Sequence, residues 1–278
     1  MDWKGREQSQ NVEDRRGSSG GGGGRTPGIL GIIVVLIGAY YGVDLSGLVG
    51  MPSMGTGSTQ TSQLKPQEEA ELNELARVVL ADTEKAWGSY FKQIGRTYTP
   101  TTLVLYNGGT STACGMGQSA MGPFYCPGDK KVYLDLDFYR DMQTKLNSAS
   151  DAAFAYVIAH EVGHHVQNLL GILPKVHRMQ QQVDKKEANA LSVKLELQAD
   201  CYAGIWGHYA VNNNIFKAED ITKAMLAAES VGDDRLQKDG QGYVVPDSFT
   251  HGSSEQRMAW LKRGLDSGDI NQCNTFGN

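Results

Sequence analysis

His160-Glu161-Val162-Gly163-His164 lies within an apolar stretch whose spacing predicts a helix over residues 151–170. His160 and His164 are four residues apart, so both imidazoles project from one face of that helix, about one turn apart. This geometry is typical of two histidines that bind one zinc ion. Glu161 follows the first histidine, and from there its carboxylate can reach a water on the metal without binding the metal itself. The alternative is a helix with surface histidines, which the apolar surroundings disfavour because a buried, unpaired histidine is costly.

A catalytic zinc ion generally has three protein ligands, and the sequence offers two patterns for the third. In the pattern His-Glu-x-x-His-x-x-Gly-x-x-His the third ligand is a downstream histidine, but the corresponding positions hold Gln167 and Leu170. The other pattern takes a glutamate from a second helix, and Glu196 lies in a predicted helix over residues 187–210. Asp200 is four residues further on the same face. We expect its carboxylate to accept the ring N–H of a ligating histidine and so to fix the tautomer.

These motifs are similar to the gluzincin arrangement of metallopeptidases. The chain as a whole resembles the bacterial neutral zinc metallopeptidase family, the YpfJ-like membrane proteins. The stretches that carry the resemblance span nearly the full length: Asn11-Val-Glu-Asp-Arg-Arg-Gly, Tyr40-Tyr-Gly-Val-Asp, Met121-Gly-Pro-Phe-Tyr-Cys-Pro, Ile158-Ala-His-Glu-Val-Gly-His-His-Val-Gln, Leu195-Glu-Leu-Gln-Ala-Asp-Cys and Val245-Pro-Asp-Ser-Phe-Thr-His-Gly. The resemblance implies an α+β, mainly helical zincin-like domain with a small β-sheet, preceded by one transmembrane helix.

The resemblance also implies a function, the hydrolysis of protein or peptide substrates with Zn²⁺ as cofactor. In that reaction Glu161 is the general base that takes a proton from the attacking water. Two other functions stay open: a membrane-tethered zinc-binding scaffold with little or no turnover, and a zinc amidase that acts on cell-wall material. The net charge of −5 gives no reason to expect nucleic acid as a partner.

The C-terminal stretch Thr250-His251-Gly252-Ser253-Ser254-Glu255-Gln256-Arg257 is similar to the Thr-His-Pro-x-x-x-x-Arg stretch of membrane-bound gluzincins, where it lies near the active site. Here Gly252 stands in place of the proline. His251 is a candidate for stabilising an oxyanion, and Tyr243 is an alternative for that role. A second interpretation of His251 is packing ahead of the last predicted helix, which runs from Ser253 or Ser254 to Gly264.

The N-terminal part has a different composition from the rest of the chain. Residues 1–27 end in a glycine-rich run and are predicted to be disordered. Residues 28–49 form a mostly uncharged apolar stretch, predicted as a retained transmembrane anchor; a cleaved signal peptide and a buried core helix are the alternatives. Residues 50–66 are predicted to be a flexible linker, and residues 67–278 the zinc metallopeptidase domain.

Flanking charge predicts the orientation of this anchor. Arg15, Arg16 and Arg25 precede the apolar stretch, whereas only Lys65 follows it before residue 67. The positive-inside rule then places the N-terminus in the cytoplasm and the catalytic domain in the periplasm, on the outer face of the inner membrane.

Four cysteines, Cys114, Cys126, Cys201 and Cys273, fit an oxidising compartment. Three pairings are possible, and the sequence alone does not choose among them. A Cys114–Cys126 bond would close a glycine-rich loop, and Cys201–Cys273 would then tie the C-terminal tail to a helix. A zinc site of cysteines is the less favoured alternative, because no Cys-x-x-Cys spacing is present.

Other elements are predicted from periodicity. Residues 69–93 have the spacing of an amphipathic helix. Residues 101–106 and Lys131–Phe138 have β-type sequences, and the second is predicted to be an edge strand with which an extended peptide could pair.

Overall fold

The computed structural model describes residues 1–17 and 62–277, and in these ranges the chain forms six strands and eight α-helices. The strands are β1 (Val12–Asp14), β2 (Thr102–Tyr106), β3 (Gly109–Thr112), β4 (Gly115–Gln118), β5 (Phe124–Cys126) and β6 (Lys131–Asp135). The helices are α1 (Pro66–Gln93), α2 (Phe138–Thr144), α3 (Asp151–Leu169), α4 (Ile172–Gln180), α5 (Lys185–Asn212), α6 (Ala218–Ser230), α7 (Asp233–Gln241) and α8 (Ser254–Ser267). The described chain is therefore mainly helical with small sheets, consistent with the α+β prediction.

Four strands form one sheet in the order β1-β2-β6-β5, and β3 and β4 form a separate hairpin. β2 is parallel to both β1 and β6, whereas β5 is antiparallel to β6. The prediction of an edge strand over Lys131–Phe138 is wrong, because β6 is paired on both sides. The strand is also shorter than predicted, since it ends at Asp135. There the Asp135 carboxylate accepts the backbone N–H of Asp137, the residue that precedes α2, so the chain turns into the helix.

Residues 1–17 belong to the folded domain. β1 pairs with β2, and the N–H of Arg15 extends the ladder by donating to the carbonyl of Leu105. Trp3 is 4% exposed, and its indole N–H donates to the Asp151 carboxylate at the start of α3 over 2.7 Å. The N-terminal segment thus packs against both the sheet and α3.

The disorder predicted for residues 1–27 is therefore wrong for the first 17 of them, since a buried indole and a β-ladder offset their ordering entropy. At the other end of the gap, Leu64 is buried in the core and α1 begins at Pro66, so the domain starts slightly before the predicted residue 67. The rest of the predicted linker and the whole predicted anchor, residues 28–49, lie outside the described residues. None of the helices in the described ranges has the length and apolar character needed to cross a membrane.

Side-chain caps explain where the central helices begin. Ser150 Oγ accepts the N–H of Ala153 at the start of α3, and the Asp184 carboxylate accepts the N–H of Glu187 at the start of α5. Ser253 caps α8, which continues to Ser267, beyond the end predicted at Gly264.

Two glycines allow α5 and α8 to pack closely. A Cβ atom on Gly264 would lie 1.9 Å from the carbonyl oxygen of Cys201, and one on Gly204 would lie 2.2 Å from the carbonyl oxygen of Leu261. Any larger residue would force the helices apart, because interiors are close-packed. Gly264 therefore serves as a contact point inside the helix rather than as its end.

The described residues contain two disulfides. Cys114–Cys126 closes the hairpin of β3 and β4 onto β5, and Cys201–Cys273 ties α5 to the C-terminal segment. The predicted preference for disulfides over a cysteine zinc site is thus confirmed, in one of the three pairings that the sequence left open.

Candidate metal centre

Three side chains from two helices converge on one point. His160 and His164 of α3 and Glu196 of α5 have donor atoms that all lie within 4.8 Å of one another. Nε2 of His160 is 3.0 Å from Oε2 of Glu196, and Nε2 of His164 is 3.3 Å from Oε1 of the same carboxylate. The structure thus brings together the three residues predicted as metal ligands. Two imidazoles and one carboxylate form the donor set of His₂Glu zinc sites, which keep a fourth position for water.

A buried cluster orients His160. Its Nδ1 lies 2.8 Å from Oδ1 of Asp200, the contact predicted for that carboxylate. Asp200 has no exposed surface and also accepts hydrogen bonds from the Tyr156 hydroxyl at 2.6 Å and from Arg257, through Nε at 2.8 Å and Nη2 at 3.1 Å. Burial opposes ionisation of Asp200, but Arg257 and His160 outweigh it and lower the pKa of Asp200 to about 2. An ionised carboxylate can only accept a hydrogen bond, so Nδ1 of His160 carries the proton. The Nε2 atom of His160 then faces His164 and Glu196, the other two candidate metal ligands.

The same charges act on His160 itself. Burial lowers the pKa of this histidine, but the carboxylates of Asp200 and Glu196 outweigh burial and raise the pKa to about 10. The imidazole must lose the Nε2 proton when a metal binds there, so metal binding at this site is coupled to proton release.

His164 is oriented by a neutral group. Its Nδ1 lies 2.9 Å from Oε1 of Gln167, which has no exposed surface. His160 and His164 therefore both have their Nδ1 atoms engaged, and their Nε2 atoms face Glu196.

Glu161 lies beside the two histidines with 8% of its surface exposed. Burial raises the pKa of this carboxyl group, while the charges of His160 and His164 lower it, and the net shift is upward. Within residues 1–17 and 62–277 no group donates a hydrogen bond to its carboxylate. Glu161 is therefore placed to accept a proton from a water molecule next to the metal site.

His251 forms a dyad with Asp233, the first residue of α7. Its Nδ1 lies 3.1 Å from Oδ1 of Asp233, and Oδ2 of the same carboxylate accepts the backbone N–H groups of Thr250, His251 and Gly252 at 2.7–3.0 Å. Burial lowers the pKa of His251, but Asp233 outweighs it and the pKa rises, with the charge of Glu196 contributing. Gly252 has φ +95°, so a proline, which has neither this φ nor an N–H, could not replace it here.

Two further side chains lie apart from the metal ligands. Tyr243, the alternative to His251, is 63% exposed in the segment after α7. His165 is buried, and both its ring nitrogens are engaged, Nδ1 with the Tyr125 hydroxyl at 3.0 Å and Nε2 with the Thr99 carbonyl at 2.8 Å. Neither side chain contributes a metal ligand in this arrangement.

Sequence reasoning assigned no role to Tyr156, Gln167, Asp233 and Arg257. Tyr156 and Gln167 lie on the predicted helix, one turn from His160 and His164 respectively, so helical spacing could have indicated them. Arg257 was visible only as the last residue of the C-terminal motif. Asp233 had no signal in the sequence, because its partner comes from a segment 18 residues later.

A His-Glu-x-x-His helix completed by a glutamate from a second helix is the arrangement of the gluzincin class of metallopeptidases. The sequence profile of one such family matches residues 1–276, so the chain belongs to the family described as "Putative neutral zinc metallopeptidase". The family predicted from the sequence is thereby confirmed.

Relatives in two bacterial groups are similar over much or all of the chain. A protein of Escherichia coli strain K12, named Uncharacterized protein YpfJ, is 54% identical over 287 residues, which cover 100% of this chain and 99% of that protein. An uncharacterised protein of Mycobacterium tuberculosis strain H37Rv is 40% identical over 222 residues, 74% of this chain and 73% of that protein. No solved structure matches the chain.

Proposed function

We propose that this domain is a zinc-dependent peptidase that hydrolyses peptide bonds in protein substrates. The observation that carries the proposal is the convergence of His160, His164 and Glu196 beside Glu161, a carboxylate to which no described group donates a hydrogen bond. The donor set fits zinc, because two neutral imidazoles and one carboxylate are ligands that zinc accepts in catalytic sites. Purely structural zinc sites usually have four protein ligands and have no use for an adjacent free carboxylate.

The residues of this chain have distinct tasks in the proposed reaction. When bound here, zinc supplies a Lewis acid that polarises the scissile carbonyl and lowers the pKa of a water toward about 7. Glu161 accepts the proton of the attacking water and passes it to the leaving amine. Its raised pKa suits both transfers, because the same group must first bind a proton and then release it.

His251 is proposed to stabilise the oxyanion that forms on the scissile carbonyl. Its Nδ1 is engaged by Asp233, so Nε2–H is the donor available to a substrate. Asp233 also favours the charged imidazolium, which is the stronger donor. Loss of one oxyanion donor typically lowers kcat by about 10²–10³-fold.

We also propose that the domain works outside the cytoplasm. The two disulfides support this location, because such bonds persist mainly in oxidising compartments. Attachment to the inner membrane through residues 28–49 stays a prediction.

The Glu161→Gln variant tests the proposed reaction. It should bind about one zinc per chain, as the wild type does, because no ligand is changed, and it should lose hydrolysis of an unstructured protein such as casein. The measurements are metal content after dialysis and the release of peptides. An undiminished rate in the variant would refute the role of Glu161.

Zinc binding and substrate cleavage by the wild-type protein distinguish the peptidase from the scaffold and the amidase. Zinc binding without cleavage of any protein substrate would favour a scaffold, and cleavage of cell-wall amides in place of proteins would favour the amidase. A wild-type chain that binds no zinc would overturn every zinc-dependent function.

A further inference from the structure

A chain of side-chain amides connects the zinc ligand His164 to the C-terminal disulfide. Oε1 of Gln167 lies 2.9 Å from Nδ1 of His164, and Nε2 of Gln167 donates to Oε1 of Gln198 at 3.0 Å. Nε2 of Gln198 in turn donates to the carbonyl of Cys273 at 3.0 Å. Gln167 and Gln198 are 0% and 4% exposed, so water cannot easily replace these bonds.

Backbone carbonyls determine which atom donates and which accepts in each of these side-chain hydrogen bonds. A carbonyl oxygen only accepts, so the Cys273 carbonyl requires the NH₂ group of Gln198 and leaves the amide oxygen of Gln198 toward Gln167. The carbonyl of Leu195, 2.8 Å from Nε2 of Gln167, requires the same orientation of the Gln167 amide. Oε1 of Gln167 must then face His164, whose Nδ1 has to carry the proton.

The consequence for the ligand is a single tautomer. With Nδ1 protonated, the Nε2 lone pair of His164 is directed at Glu196 and at the metal position. His160 reaches the same state through the anionic Asp200, whereas His164 reaches it through neutral amides. The two ligands are thus oriented by independent groups.

We propose that Gln167 and Gln198 are positioning residues for zinc binding, and that the disulfide-bonded segment at Cys273 orients Gln198 and, together with the Leu195 carbonyl, Gln167. This proposal rests on the proposed zinc site. The Cys201–Cys273 bond holds the Cys273 carbonyl against α5. Its attachment point on α5, Cys201, is five residues beyond the proposed ligand Glu196. The C-terminal segment therefore contributes to the metal site without touching the metal.

Zinc affinity of the full chain, measured by competition with a chromogenic chelator, tests the proposal. Gln167→Met removes the acceptor that the described residues offer to the His164 Nδ1 proton, and it should weaken zinc binding about 10–100-fold, the usual effect of losing a partner of a ligating histidine. Gln198→Met should weaken it less, because the Leu195 carbonyl still orients Gln167. In the double variant, Gln198→Met should add no further loss, since its effect passes through Gln167.

Gln180→Met is the matched control. Nε2 of Gln180 also donates to a carbonyl of α5, that of Ala188 at 3.1 Å, and to Ser192 Oγ at 2.8 Å, but no hydrogen bond among the described residues links Gln180 to His160, His164 or Glu196. It should retain wild-type zinc affinity even if its unfolding temperature falls. In zinc-loaded protein labelled with ¹⁵N-histidine, the Nδ1–H signal of His164 should be protected from exchange, and Gln167→Met should abolish that protection.

The outcomes are distinct. Wild-type zinc affinity in Gln167→Met, or equal losses in Gln167→Met and Gln180→Met, would overturn the positioning role while leaving the zinc site standing. If Gln167→Met does not fold, the comparison uses Gln198→Met instead. Losses of zinc affinity of the same size in Gln198→Met and in the control Gln180→Met would then overturn the positioning role too. A wild-type protein that takes up no zinc would overturn this proposal together with the proposed function.

Discussion

The ion pair between Arg257 and Asp200 gives the sharpest prediction for stability. Both side chains are buried, with 5% and 0% of their surface exposed, and Arg257 donates two hydrogen bonds to the carboxylate. Substitution Arg257→Met keeps the length of the side chain but removes the guanidinium that donates to Asp200. Removing one partner of a buried pair costs about 3–5 kcal/mol. Because Tyr156 and His160 still donate to Asp200, we expect the lower end, about 3 kcal/mol.

Urea unfolding of the zinc-free, disulfide-intact protein, followed by circular dichroism, measures this free energy. Lys262→Met is the control on the same helix, since its exposed pair with Asp266 should contribute less than about 1 kcal/mol. Arg257→Lys should lie between the two, because an ammonium group keeps the charge but not the two-pronged geometry. A free energy of unfolding for Arg257→Met within about 1 kcal/mol of the wild type would refute this account of the buried pair.

Three further predictions concern the dyad, the helix contact and the metal. Asp233 raises the pKa of His251 against the effect of burial, so Asp233→Asn should lower that pKa. The alkaline limb of the pH profile of kcat/KM should then move to lower pH, and a limb that does not move would show that His251 takes no part in the reaction. Gly264→Ala should destabilise the fold by about 1–3 kcal/mol in thermal unfolding, whereas Gly240→Ala, with open space around it, should be neutral or stabilising. Removing zinc with a chelator should lower the free energy of unfolding by about 4 kcal/mol if zinc had been present at about 1,000 times its Kd; an unchanged value would argue against a bound ion that joins α3 and α5.

The metal centre was predictable where one helix determines the geometry. His160 and His164 share a helix face, and Glu196 and Asp200 share another, so helical spacing alone paired the groups that meet in the structure. The choice of glutamate as third ligand followed from the absence of a histidine at the downstream positions.

The groups that support the ligands were not predictable, because they depend on how separate helices pack. Arg257 reaches Asp200 only because Gly204 and Gly264 let α5 and α8 approach so closely. The Asp233–His251 contact likewise needs the turn at Gly252, whose φ no sequence pattern specified.

The N-terminal strand was missed for a different reason. Val12–Asp14 is three residues long and contains two acids, so it has no hydrophobic alternation. Its place in the sheet depends on β2, about 90 residues further along the chain. Local propensity contains no information on such a distant partner.

That strand also links the location of the N-terminal residues to the location of the sheet. Residues 12–14 and 103–105 exchange backbone hydrogen bonds within one sheet, and strands separated by a lipid barrier cannot do so. In the folded protein, β1 and the part of the domain that contains β2 therefore lie in the same compartment. If secretion delivers the domain, it must deliver the N-terminus with it.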